Sequence, residues 1–113
     1  MSERNGSAPE LKMYAIRRRN AWASVPEVEE VAERSKEIAD REFASDIRWI
    51  RSYVIAEDDG TLGSVCIYQA SSPVEIGHHA HRVGMPADEI WEVADTVVIR
   101  PDPEKEEVEE AVA

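Results

Sequence analysis

The stretch that decides the fold is Ile47-Arg48-Trp49-Ile50-Arg51-Ser52-Tyr53-Val54-Ile55-Ala56-Glu57-Asp58-Asp59-Gly60-Thr61-Leu62-Gly63-Ser64-Val65-Cys66-Ile67-Tyr68-Gln69. Two runs rich in β-branched and aromatic residues flank Glu57–Thr61. Within that turn Asp59-Gly60 supplies the positive-φ positions that a tight hairpin needs. Ile47 to Ala56 and Leu62 to Gln69 therefore read as antiparallel strands. Alternation places Trp49, Arg51, Tyr53 and Ile55 on one face of the first strand and Ile50, Ser52 and Val54 on the other. In the second, Cys66 and Tyr68 oppose Val65 and Ile67, and Gly63 marks a bulge.

Working outward, a helix with the same opening lies on each side of the hairpin. Upstream, Ser24-Val25-Pro26-Glu27 begins one. Ser24 caps it, and the Glu27 carboxylate, three residues on, reaches back to the free N–H of the cap. Val28, Val31, Ala32, Ser35, Ile38, Ala39 and Phe43 form its inward stripe at helical spacing. Downstream, Ser72-Pro73-Val74-Glu75 repeats the pattern, with proline in the first turn. Gly84 ends that helix and Pro86 lies beyond it. Outside the helices, Lys12 to Arg18 and Ile90 to Arg100 read as strands, with Asn20-Ala21-Trp22-Ala23 a loop. Tyr14 and Ile16 share one face of the first strand; Met13 and Ala15 share the other.

The order strand, helix, strand, strand, helix, strand predicts an α+β, ferredoxin-like domain over residues 12–100: a four-stranded antiparallel sheet with two helices on one face. Residues 1–11 read as a disordered lead, and residues 101–113 as a solvated acidic tail without an apolar face. Two helices cover only one face of such a sheet, yet both faces carry apolar side chains. Trp91, Val93, Val97 and Ile99 oppose Ile90, Ala94 and Val98, much as in the hairpin. Exposing several hundred Å² of apolar surface is costly, so the sequence predicts a homodimer with sheets face to face. The other way to cover that face, the termini folding over it, is disfavoured by their polarity.

Composition narrows the partners. The chain has 113 residues, 42% of them hydrophobic, and a formal net charge of −11 from 24 acidic and 13 basic residues. Phosphate binding calls for a basic surface, so nucleic acid is not expected. No apolar run approaches the roughly 18 residues of a membrane span, and the N-terminus lacks a signal-peptide core. The expected location is the cytoplasm.

Chemistry concentrates in Glu75-Ile76-Gly77-His78-His79-Ala80-His81-Arg82-Val83-Gly84-Met85-Pro86, which holds all 3 histidines. Neutral imidazole is the commonest protein ligand for a transition metal. Successive helical residues turn by about 100°. Ile76, Ala80 and Val83 thus point inward together, His79 flanks them, and His78 faces water with His81 as its surface neighbour. Two arrangements are open: His79 reaches toward the sheet, or His78 and His81 grip an exposed ion. Histidines without a ligand would give the same spacing. The single cysteine, Cys66, permits no internal disulfide and is either a small buried hydrophobe or a thiolate ligand. Imidazole and thiolate donors favour nickel, copper or zinc over magnesium or calcium. No histidine–acid spacing matches a zinc protease.

Arg51-Ser52-Tyr53-Val54, Cys66-Ile67-Tyr68-Gln69-Ala70, His79-Ala80, Gly84-Met85-Pro86 and Asp88 together resemble a family of small ferredoxin-like, nickel-binding proteins long known only as a domain of unknown function. The likeness runs from Met13-Tyr14 to about Val98. It implies a ferredoxin-like dimer or larger oligomer with bound nickel or another divalent transition metal. His79 takes the position of the family histidine, and Cys66, Tyr53 and Tyr68 take those of its strand residues. Gln69 stands where an acid is common, and His78 and His81 are additions.

The expected metal ligands are thus His79, then Cys66, with His81 and His78 after them. The expected function is non-enzymatic binding of a nickel-type ion, in storage, buffering or sensing. The alternative is a small dimeric α+β-barrel enzyme, or a small-molecule-binding protein, with a pocket between helices and sheet lined by Trp49, Tyr53 and Tyr68. The sequence offers no nucleophile–base–orienter set, so the enzyme reading rests on fold analogy. A sensor or assembly component of the same fold is a third reading.

Overall fold

A computed structural model describes residues 10–103; most of the expected lead and of the acidic tail lies outside the described residues. The elements are β1 (Lys12–Trp22), α1 (Val25–Glu42), β2 (Ile47–Ala56), β3 (Leu62–Ala70), α2 (Pro73–Val83) and β4 (Glu89–Glu92). The sheet is antiparallel, in the order β2-β3-β1-β4. Ala39 of α1 and Ile76 of α2 share one core cluster with Tyr14, Ile16, Cys66 and Tyr68 of the sheet, so both helices cover the same face.

Both helix starts form as the sequence predicts, with one change of partner. Ser24 Oγ accepts from the Glu27 N–H at 3.5 Å, and Ser72 Oγ accepts from the Glu75 N–H at 3.4 Å. The Glu27 carboxylate takes the N–H of Ala23, one residue before the cap, at 2.9 Å. The two helices are tied together at the C-terminal end of α2. Arg34 Nε donates to the Val83 carbonyl at 3.1 Å, a cation at the negative end of α2. Arg82 grips Glu42 with two bonds of 3.0 and 2.8 Å.

Three strand expectations are corrected. β1 does not end at Arg18; it continues to Trp22 through a bulge that falls between Arg18 and Trp22, opposite Ser64 to Leu62. Asn20 takes φ 48° there, a conformation asparagine tolerates, and it is tied to the hairpin turn. Its N–H donates to Glu57 Oε2 at 3.1 Å and its amide donates to Asp59 and Thr61. Gly63 sits opposite that bulge, where a side chain would strike the Arg18 carbonyl and the Glu57 carboxylate.

The second correction is a bulge in β2. Trp49 pairs with Tyr68, but Arg51 pairs with Ile67, leaving Ile50 as the extra residue. The extra residue inverts the parity of everything before it. Trp49 therefore joins Ser52 and Val54 on the helical face, while Arg51, Tyr53 and Ile55 occupy the open face.

The third concerns β4, which spans Glu89–Glu92 rather than Ile90 to Arg100. Its register pairs Tyr14 with Glu92, and the Val93 N–H bonds the Met13 carbonyl at 2.8 Å. β1 begins at Lys12, so a longer β4 has no strand to pair with. The segment instead crosses the open face to β2, where Asp102 accepts from Tyr53 Oη at 2.6 Å and from Arg51 Nη1 at 3.0 Å. Polarity did not keep the chain off this face. The crossing segment adds apolar surface of its own: Val97 is 82% and Ile99 80% exposed. Among the described residues no helix is long and apolar enough to cross a membrane.

Candidate functional site

The strand alternation that buries Tyr14 and Ile16 also buries Arg18, which is 0% exposed. Its Nη1 donates to the Pro86 carbonyl at 2.6 Å and its Nη2 to Tyr68 Oη at 3.4 Å. The guanidinium lies 5.8 Å from the centre of the Tyr68 ring, within cation–π range. Its Nε has no hydrogen-bond partner. No ion pair among the described residues includes Arg18. A buried cation without a carboxylate is unusual, because burial is costly for unpaired charge. Burial also pushes the Tyr68 phenol upward, against the opposing pull of Arg18 and the Ser35 side chain, so it stays protonated.

His79 lies beside this group, 0% exposed, as the helical geometry of α2 predicts. Its ring meets Phe43 edge-on at 5.5 Å between centroids and Tyr68 at 5.9 Å. Nε2 is 3.1 Å from the Ser35 carbonyl, with the Ser35 hydroxyl farther off at 3.5 Å. A carbonyl oxygen only accepts, so Nε2 carries the proton and Nδ1 keeps its lone pair. Nδ1 is buried with no partner. Burial holds the imidazole below its ordinary 6.5, and the positive field of Arg18 adds to this against the Ser35 bond. The ring is therefore neutral.

Each expected site residue can now be located. Cys66 is buried on the helical face, its Sγ 3.3 Å from Ser64 Oγ. Tyr68 and Trp49 come together, with ring centroids 6.2 Å apart. Tyr53 lies on the opposite face of the sheet, bonded to Asp102. His78 is exposed, 3.9 Å from Glu75, and His81 is exposed one turn on. Arg18, Ser35 and Ser64 went unnoticed as site residues. Parity with Tyr14 and Ile16 was a usable signal for Arg18, and Ser35 already sat in the inward stripe of α1.

Beside this group lies a cleft of about 130 Å³ between α1 and the β2 side of the sheet, its surface almost wholly apolar. Val28, Val31, Ala32 and Ser35 line it from α1, Trp49, Val54, Cys66 and Tyr68 from the sheet, with Trp22 and Met85 beside them.

Ser35 is the hydroxyl nearest the imidazole, and it faces the nitrogen that already bears a proton. That nitrogen has no lone pair with which to act as a base. As a metal ligand, His79 is better prepared. A ring N–H fixed by a backbone carbonyl is the usual outer-sphere arrangement for a ligating histidine, and it leaves the other nitrogen free. A complete set is nevertheless missing. Among the described residues no group of three His, Cys, Asp or Glu side chains is placed to hold one ion. The described residues of one chain do not by themselves make a closed metal centre.

A family model described as nickel responsive protein SCO4226-like matches residues 14–93. The chain belongs to this family. No curated protein and no solved structure matches the chain. In this SCO4226-like chain the matched region runs from the buried Tyr14 of β1 to the residue after β4, and so contains both helices and all of the sheet but the first two residues of β1, with Arg18 and His79.

Proposed function

We propose that this protein is a non-enzymatic, cytoplasmic binding protein for nickel or a similar divalent transition ion, serving a metal response by sensing or buffering. The observation that carries the reading is His79: a neutral imidazole, oriented by the Ser35 carbonyl, whose Nδ1 lone pair is without a partner. Family membership supports nickel as the ion to test. Cys66, His81 and His78 follow as further ligands in that order.

Since the described residues of one chain offer no three-ligand group, binding in this reading depends on a second copy. The architecture is read as ferredoxin-like, and the homodimer as packing through the open sheet face. Apolar exposure there supports this, including Trp91, Val98 and the crossing segment.

The test is titration calorimetry of tag-free, metal-stripped protein with nickel chloride. Wild type is expected to show saturable binding, His79→Gln to lose it, and the double variant His78→Ala/His81→Ala to bind more weakly. No saturable binding by the wild type, or binding unchanged in His79→Gln, would contradict the reading.

A further inference from the structure

His79 does not line the cleft between α1 and β2, so the metal reading leaves that space unused. We propose that the cleft is a binding site for a small uncharged apolar molecule, an aromatic ring about the size of benzene.

The space follows from side-chain size. Val54, Ser64 and Arg18 are partners in one row across β2, β3 and β1, and Ser52, Cys66 and Ile16 in the next. Over these rows α1 presents Ala32 and Ser35, and the sheet presents Ser52, Ser64 and Cys66. Five small side chains leave a helix–sheet interface underfilled where a close-packed one would have no void. Val54 is 50% exposed although it lies on the helical face. Trp22 and Trp49 stand at the sides as large apolar walls.

The ligand class follows from the polar groups around the cleft, which are bonded within the fold. Trp49 Nε1 donates to Ser52 Oγ at 2.8 Å, and Ser64 Oγ is 3.3 Å from Cys66 Sγ. Ser35 Oγ is 3.5 Å from His79 Nε2. The terminal nitrogens of Arg18 bond the Pro86 carbonyl and Tyr68 Oη, and its Nε is sealed. What remains to face the cleft is almost wholly apolar surface. A ligand with a charge, or with a donor or acceptor of its own, finds no partner there for what it loses on leaving water. An apolar ring loses nothing of the kind and covers carbon surface that is otherwise wet. The volume of about 130 Å³ is close to the roughly 150 Å³ of an apolar protein cavity that admits benzene. It is well below the roughly 300 Å³ at which pockets for drug-sized ligands begin.

The probes are benzene and pyrazine, a ring of the same shape with an acceptor nitrogen at each end. Each is added to the full chain in chelator-containing buffer while the indole N–H signals of Trp22, Trp49 and Trp91 are followed by NMR. Trp91 pairs with Ala15 on the open face of the sheet and is the internal control. Benzene is expected to shift the Trp22 and Trp49 signals saturably and to leave Trp91 in place. Pyrazine is expected to bind at least about tenfold more weakly, because entering the cleft strips a nitrogen of water. Ala32→Phe, which fills the cleft, is expected to abolish the benzene shifts. Absence of saturable shifts at Trp22 and Trp49, equal shifts at Trp91, pyrazine binding as tightly as benzene, or benzene shifts that persist in folded Ala32→Phe would overturn the proposal. So would cross-peaks that seat a second copy, or another segment of the chain, against Trp22 and Trp49 in place of benzene. Should Ala32→Phe not fold, the benzene-to-pyrazine ratio and the identity of the shifted indoles in wild type still decide. Because the chelator removes metal, failure here leaves the nickel reading standing, and the reverse holds as well.

Discussion

His79 and Arg18 were legible to different degrees. The inward position of His79 follows from 100° steps around α2, set against Ile76, Ala80 and Val83. Arg18 obeys an equally simple parity with Tyr14 and Ile16, but a charged residue in the run Arg17-Arg18-Arg19 reads as solvated, and only the tertiary contacts of Pro86 and Tyr68 hold it inside. The neutrality of His79 has a consequence for stability. Its folded value lies below the ordinary 6.5, chiefly through burial. Above that pH neither folded nor unfolded chain is protonated there, and the contribution of His79 is fully present. As pH falls below about 6.5, the unfolded chain takes up a proton that the fold resists, so stability drops until the folded ring is protonated as well. Urea unfolding across that range should show this loss in wild type and a shallower one in His79→Gln, in which no imidazole is left at that position to titrate.

The two helices were the most readable elements because their signals are local. A capping serine, a proline in the first turn and a stripe at helical spacing all lie within one segment. Ser24→Ala removes the acceptor for the Glu27 N–H and should cost about 1 kcal/mol in chemical unfolding, without changing the fold. Strand ends were less readable because their limits are set elsewhere. Nothing within Ile90–Arg100 forbids a long strand, and Val97, Val98 and Ile99 favour one; β4 stops because β1 begins at Lys12. The bulge at Ile50 was equally hidden. Trp49 and Tyr53 alternate correctly in sequence, and a single unpaired residue sends them to opposite faces. That residue turns Trp49 toward Tyr68 and gives the cleft one of its walls.

At the scale of the molecule, one face of the sheet is sealed by α1 and α2, and the other is crossed by residues 93–102 with Val97, Val98 and Ile99 outward. In the proposed homodimer this apolar ridge is buried between copies, so Val98→Asp should shift sedimentation from dimer toward monomer while the helical signal is retained. A wild-type chain that sediments as a monomer at high concentration would end that part of the proposal. The sealed face carries the central claim, that folding places a neutral imidazole of fixed tautomer at the junction of α1, α2 and the sheet. Long-range proton–nitrogen NMR of the His79 ring tests it most directly. The account predicts a proton on Nε2, none on Nδ1, and a titration midpoint below the ordinary 6.5. A ring protonated on Nδ1, or one that titrates at its ordinary value, would contradict it.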